Sequence, residues 1–477
     1  MAQTLSYQSN QKVQKNRWWI LVAVGLFTFM STLDGTIVNI ALPVISKDLH
    51  IPMSQSEWVV SLYLIVVCSF ILFFGKLSDT YGKIKVFRLG AIFFIAGSLL
   101  SGIRINLIFL LLARALQAFG AAMTMATNNG IITEIFPATE RGKALGTIGS
   151  FVALGSIAGP GLGGLILSHL SWSYIFWLNV PVGLIAAMIG AIFLPKDITF
   201  TKSALDKAGS FSFALGMITL FGGIFLGQQL GFSSLPVLLM LLVGLVSFIG
   251  FVYVENHVVN PLLQFKLFKN PDFSVSLLCA LLIFITNFFF NVVTPFYLEN
   301  ARHLLPGKTG LILMILPVVQ LFAAPVAGSI SDKIGPKLIT FIGLVLLLIS
   351  QIGYTLCSLD SSMWLFIISI AIMGLGSGIF SSPNNSLVMS SVEQKDLGIA
   401  GSINSLSRNL GMVIGISSAT TVLFAAMSKA KGARVTAYLP KQPEIFIYGM
   451  HVVFIISMII CMITVLLSGW RLFKNNK

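Results

Sequence analysis

An acid and a base stand in stretches of sequence that are otherwise apolar. Asp34 lies in Leu33-Asp-Gly-Thr36-Ile-Val-Asn39-Ile-Ala-Leu-Pro43, and Arg114 opens Arg114-Ala-Leu-Gln117-Ala-Phe-Gly120. An ionisable side chain at membrane depth is costly and is kept mainly for function or pairing. The chemistry open to Asp34 is proton uptake and release. Other chemistries are poorly represented. There is no GxxxxGK[ST] nucleotide loop, no GxSxG elbow, no HExxH pair and no acidic metal cluster in a loop. Cys68, Cys279, Cys357 and Cys461 lie singly in apolar blocks, and none of the five histidines stands at metal-ligand spacing with another. The expectation is a protein that is not an enzyme and that holds no metal and no cofactor.

The surroundings of these residues dictate the elements that hold them. Of the 477 residues 56% are hydrophobic and only 10% charged, against about 25% charged in a soluble domain. The apolar residues fall into blocks of roughly 18 to 25, long enough to cross about 30 Å of hydrocarbon as helices. Fourteen spans are expected near 18–41, 58–75, 87–103, 107–130, 144–167, 174–194, 210–229, 235–254, 273–297, 309–330, 338–357, 363–387, 398–426 and 446–470. No cleavable leader is apparent, because the first block is too long and contains Asp34. An even count puts both termini on one side. That side carries 20 of the 30 Lys and Arg residues and the other side 8, so the positive-inside rule places the termini in the cytoplasm. The net charge of +14 is scattered over short loops, which suits topology and anionic lipid rather than nucleic acid.

Depth links the acid to the base. Asp34 sits about 7 residues, roughly 10 Å, before the outer end of span 1, and Arg114 a similar distance past the outer start of span 4. The two are expected to meet, directly or through water, so that the charge state of the carboxyl answers to the guanidinium.

The chain also repeats itself. Gly75-Lys-Leu-Ser-Asp79-Thr-Tyr-Gly82-Lys83 recurs as Gly328-Ser-Ile-Ser-Asp332-Lys-Ile-Gly335-Pro-Lys337, and Asn128-Asn129 as Asn384-Asn385. Glu140-Arg-Gly142 matches Asp396-Leu-Gly398, and Gly155 and Gly159 match Gly411 and Gly415. A near-constant offset through four features indicates duplication. The expected organisation is a tail over 1–17, a six-helix bundle over 18–194, an inserted helix pair with linkers over 195–272, a second bundle over 273–470, and a tail over 471–477. Two such halves usually enclose a midplane site reached from each side in turn.

Span 5 carries Gly155-Ser-Ile-Ala-Gly159-Pro160-Gly161-Leu-Gly163-Gly164. Small residues at this spacing let helices pack backbone to backbone, and Pro160 bends the span. Together with the Gly75 turn, the Asp34 segment and the Arg114 segment, it makes the chain resemble the major facilitator superfamily over essentially Arg17 to Trp470, in particular its fourteen-span drug:proton antiporter branch. The resemblance implies an all-α membrane fold of two homologous bundles plus an inserted pair. It also implies export of small amphipathic compounds in exchange for protons, across the cytoplasmic membrane of a bacterium. In that family the Gly75 turn acts as a latch between the halves, and the span 5 motif accompanies exporters. Here Lys83 stands where the family usually has arginine. Asp34 and Arg114 are then the coupling residues. Gly75, Asp79, Gly82, Lys83, Asp332, Gly155, Gly159, Pro160 and Gly163 serve conformational change.

The repeat aligns Asp34 with Asn287, and Asp34 is the one acid read well inside a span. Candidates for the cavity wall are Asn39, Gln117, Asn128, Asn287, Asn291, Gln320, Asn384, Asn404 and Arg408. The run Phe288-Phe-Phe290 offers either stacking surfaces or lipid contact. Neutral, zwitterionic or singly cationic substrates suit this set better than dications. The partners expected are a small-molecule substrate, protons and lipid, for a monomer. Two alternatives stand beside export of drugs: a dedicated exporter or flippase for an endogenous metabolite or lipid, and a membrane sensor that does not transport.

Overall fold

The computed structural model describes residues 7–137, 140–198, 206–258, 261–393 and 397–474, and within them it leaves out the side chains of a few helical residues, Asp332 among them. Fourteen helices are long and apolar enough to cross a membrane. We number them α1 (Gln11–Asp48), α2 (Met53–Tyr81), α3 (Lys83–Ser101), α4 (Leu107–Ile135), α5 (Thr147–His169), α6 (Ser173–Phe193) and α7 (Lys207–Gln228). The remainder are α8 (Leu235–His257), α9 (Pro271–Ala301), α10 (Pro306–Ser331), α11 (Pro336–Thr355), α12 (Met363–Ser390), α13 (Ile403–Lys431) and α14 (Pro443–Leu472). Backbone polar groups find no water in hydrocarbon, so helices that satisfy their own hydrogen bonds are the natural solution for such a chain.

Several helices outrun the hydropathy blocks. α1 begins seven residues before position 18, where the Asn10 side chain accepts from the Lys12 and Val13 amides, and Asn106 caps α4 in the same way at Phe109 (2.8 Å). Hydropathy locates the hydrocarbon segment, whereas a cap locates the helix end. The extension has a chemical consequence. Glu57 and Glu299, outside the spans drawn from hydropathy, fall within α2 and α9 and are buried, so Asp34 is not the only acid inside the helices.

The repeat is visible in the packing. The α2–α3 and α10–α11 turns both hinge on a glycine in the left-handed region, Gly82 at φ 106° and Gly335 at φ 93°, where a side chain would be strained. Gly90 packs against Gly120 across α3 and α4, and Gly343 against Gly376 across α11 and α12. Gly155 rests on the Phe29 carbonyl and Thr32, and Gly411 on the Leu281 carbonyl and Phe284. The last pair sets the register of α1 against α9 at 252 residues rather than 253. The counterpart of Asp34 is therefore Thr286, not Asn287, because the duplicated units differ by one residue in the connection that follows.

Helices α1 to α6 pack mainly on one another, as do α9 to α14. The two sets meet at the end opposite the termini, called the far end below. There Gly164 and Gly310 touch, with a Cβ on Gly164 falling 2.9 Å from the Pro306 carbonyl and 3.0 Å from the Gly310 Cα. On the other flank α2 meets α13. Helix α7 lies against both, with Trp58 on Phe225 at 5.1 Å between ring centroids. Helix α8 packs on α7 and turns most of its surface outward.

Candidate functional site

Asp34 and Arg114 form an ion pair at 2.5 Å, and both are fully buried. The contact is direct, as the depth comparison of α1 and α4 anticipates. What the sequence did not reveal is how many other helices close over it. Gln117, one turn along α4 from Arg114, donates to the other Asp34 oxygen (2.9 Å) and to the Ser98 hydroxyl of α3 (2.9 Å), while its own oxygen accepts from Arg114 (2.7 Å). Asn179 of α6 donates to Asp34 at 3.2 Å. The Arg114 Nε donates to the Val59 carbonyl of α2 (2.9 Å). The guanidinium carbon lies 4.3 Å from the centre of the Tyr63 ring and 5.4 Å from that of Phe176. Five helices thus contribute to the network around one carboxylate.

Charge-assisted hydrogen bonds of this kind are about twice as strong as neutral ones. They also compensate the loss of water around two buried charges, which would otherwise be prohibitive. The compensation is incomplete, because the second terminal nitrogen of Arg114, Nη2, has no partner among the described residues. An arrangement with one unmet donor and a neighbouring π face is one that a proton or a small helix displacement can rearrange.

The matching positions in the other half hold no charge. Thr286, Ile370 and Met373 replace Asp34, Arg114 and Gln117, and all three are fully buried. The Tyr354 hydroxyl donates to the Met373 sulfur at 3.4 Å.

Helix α5 presents two glycine faces. Gly155, Gly159 and Gly163 rest on Thr32, Thr36 and Ile37 of α1, immediately around Asp34, while Gly161 and Gly164 face Met314 and Gly310 of α10. A Cβ on Gly159 would come within 1.9 Å of the Thr36 hydroxyl. Pro160 lies within the helix between the two faces, and its carbonyl would be 2.5 Å from a Cβ on Gly310.

Two ion pairs tie the Gly75 turn to α4 of its own half. Asp79 pairs with Lys83 (3.0 Å), and Lys83 with Glu134 of α4 (2.6 Å). The start of α3 is capped by Asp197, whose carboxylate accepts from the Ile84 and Lys85 amides (2.8 and 3.0 Å). Asp197 also explains the tightness at Gly82, where a Cβ would lie 2.3 Å from its carboxyl carbon. Gly75 has open space around it, so no close helix approach depends on it. The Asp332 side chain lies outside the described residues, and its neighbour Lys337 pairs with Asp272 at 3.0 Å.

The candidates for the cavity wall divide. Gln117 belongs to the Asp34 network. Asn39, Asn128 and Asn384 are buried and donate to the Gly35 carbonyl, the Thr28 hydroxyl and the Ser276 carbonyl at 2.9, 2.6 and 3.1 Å, while the amide oxygen of each lacks a partner among the described residues. Asn287, Asn291, Gln320, Asn404 and Arg408 keep part of their surface accessible. Asn404 donates to Asn385 of α12 (2.8 Å), and Gly401, one turn earlier, approaches Asn129 of α4, so this face of α13 looks onto the seam. Arg408 continues that face and has no hydrogen bond or ion pair among the described residues. The Phe288–Phe290 run is packed rather than exposed, with Phe290 against Tyr354 at 5.4 Å.

Similarity to known proteins agrees with this architecture. A family profile described as Major Facilitator Superfamily matches residues 24–416 and, in a second overlapping match, 276–477. The chain is 35% identical to the riboflavin transporter RibZ of Clostridioides difficile (strain 630), over 97% of its own length and 99% of the relative's. It is 28% identical to the multidrug transporter protein MdtP of Bacillus subtilis (strain 168), over 91% and 80%. Among solved structures, an inward-facing bacterial homologue of the human lysosomal transporter Spinster superposes with a TM-score of 0.66 at 15% identity, over 96% of this chain and 97% of that one. With fourteen apolar helices, a duplicated packing scheme and a family match that extends over nearly its whole length, the chain belongs to the Major Facilitator Superfamily.

Proposed function

We propose that the protein exports small amphipathic molecules in exchange for protons, as a monomer in the cytoplasmic membrane of a bacterium with both termini in the cytoplasm. The observation that carries the proposal is the buried Asp34–Arg114 pair, enclosed by five helices and left with one unmet donor. Protonating Asp34 removes half of the pair. Arg114 then turns more fully to Gln117, the Val59 carbonyl or the ring of Tyr63, and helices α1, α2 and α4 must adjust. Glycine-lined α5 transmits an adjustment of α1 to α10 in the other half. Occupancy by a proton is thereby linked to which end of the seam is open. Direction rests on the glycine–proline motif and on relatives with multidrug names, MdtP among them.

The substrate class follows from Arg408 and from the riboflavin transporter relative. A half-buried guanidinium with no anion to pair with among the described residues favours a planar molecule that presents hydrogen-bond acceptors along one edge, and it disfavours dications. Riboflavin is the first compound to try. In everted vesicles with an acidic lumen, adding riboflavin or a planar aromatic drug should release protons from the lumen, and Asp34→Asn should abolish that release. Substrate accumulation without proton movement would refute antiport. No response to a panel of flavins, aromatic drugs and lipophilic cations would favour a dedicated exporter of another metabolite, or a sensor.

A further inference from the structure

The first turns of α2 carry a second acid that the Asp34 network does not use. Glu57 is fully buried, and neither of its carboxyl oxygens has a hydrogen-bond partner among the described residues. It stands at the far end where three helices meet: α2 from the first half, α13 from the second, and α7 from the inserted pair. Gln228 of α7 ties itself to α13, donating to the Ser417 carbonyl (3.2 Å) and to the Thr420 and Thr421 hydroxyls (both 2.9 Å). Thr420 is the side chain that faces Glu57.

The hydrogen bonds around Thr420 fix what Glu57 can do. In the closed seam the Thr420 hydroxyl donates back to the carbonyls of its own helix, Ile416 at 2.9 Å and Ser417 at 3.3 Å, and in that arrangement it offers Glu57 an acceptor. A carboxylate only accepts, whereas a neutral carboxylic acid has a proton to donate. No cation among the described residues relieves the conflict. Arg114 is committed to Asp34 and the Val59 carbonyl. Arg434, in the loop after α13, donates to the Gln228 carbonyl at 3.0 Å. Asp48 pairs with Arg104 across the ends of α1 and α3. Lys47, Lys429 and Lys431 sit exposed at the ends of α1 and α13. A bare carboxylate in this position would be both desolvated and unpaired.

From this geometry we infer that Glu57 is a second proton-binding site: it is neutral while the far ends of the two halves are packed together, and it ionises when they part and water enters. The inference rests on the two halves alternating between openings, but not on Asp34 carrying the coupling proton. The proton is taken from water at the far end as the seam closes and is returned to the same water when it opens. It therefore never crosses the membrane, and acid at that end favours closure.

Closure can be read directly. Spin labels on Gln55→Cys and Lys431→Cys straddle the seam, and the four native cysteines are buried and do not compete for label. In lipid nanodiscs the inter-label distance should shorten as pH falls. Glu57→Gln, which carries no titrating group, should stay short at every pH. Asp34→Asn should retain a step that Glu57→Gln removes, which separates failure of this site from failure of the coupling residue. Thr420→Val, which removes the acceptor, should require about fivefold more protons for the same closure, the loss of one neutral hydrogen bond. A parent distance that ignores pH, or a Glu57→Gln curve that follows the parent, overturns the assignment. If Glu57→Gln does not assemble, a Thr420→Val curve superimposed on the parent overturns it instead.

Discussion

Asp34 and Arg114 are each unremarkable in isolation, and their meaning lies in mutual dependence. Removing one member of a buried ion pair leaves the other unpaired, a loss of about 3–5 kcal/mol in proteins generally. Arg114→Ala and Asp34→Asn should therefore both unfold more readily in detergent. Pairing Asp34→Asn with Arg114→Gln should recover most of that stability while leaving transport inactive. A thermal melt of the three variants beside vesicle transport would show it, and a stable single Asp34→Asn would contradict the network as drawn. Arg408 belongs to the opposite class, since no partner depends on it. Arg408→Gln should melt like the parent but bind planar acceptor-rich compounds about tenfold more weakly, a charge-assisted hydrogen bond being worth roughly 1.5–3 kcal/mol. Titration of flavin fluorescence gives the comparison.

The sequence made the pairing of Asp34 and Arg114 legible because depth along a helix is simple arithmetic. It did not show Asn179, Ser98 or the Val59 carbonyl, because those contacts depend on how each helix is rotated about its axis. Rotation also separates Arg408, which keeps part of its surface accessible, from Asn384 and Asn128, which are buried. Glu57 was missed for another reason. It lies just outside the apolar block of α2, where hydropathy places the water boundary, and only the packing of α7 and α13 over it removes that water.

At the scale of elements, α5 is the part whose two sides do different things. Gly159 contacts α1 within one half, and Gly164 contacts α10 across the seam. Gly159→Leu should lower the melting temperature by several degrees, since overpacking a tight interface costs about 1–3 kcal/mol or more. Gly164→Leu should leave the melt near that of the parent and instead hold the far end apart, making Gly307→Cys more reactive toward a thiol reagent. If both substitutions act only on stability, α5 is a packing helix without a role in opening. The glycine spacing was readable from the chain. The assignment of alternate glycines to alternate partners was not, because it requires the position of α10.

Considered whole, the molecule shows its duplicated plan in matching glycine contacts, yet it has charge in only one copy of the buried centre. Orientation can be tested at the end of α13 and in the loop after it, where four basic residues, Lys429, Lys431, Arg434 and Lys441, run against the general charge bias. Ala433 is exposed there, whereas Val435 is buried and donates its amide to the Ser428 hydroxyl at 2.9 Å, so Ala433→Cys is the better reporter. An impermeant thiol reagent should label it in intact cells. Labelling only after lysis would reverse the topology.

The inserted pair makes the two flanks of the seam unequal. Helix α7 bridges α2 and α13 on one side, while α5 and α10 meet on the other, where among the described residues neither helix of the inserted pair packs over them. A lipophilic solute dissolved in the bilayer therefore meets a walled flank and an unwalled one. Lateral entry from the membrane, if the seam admits it, has a single doorway, and lipids lying beside α5 and α10 are in effect the transporter's antechamber.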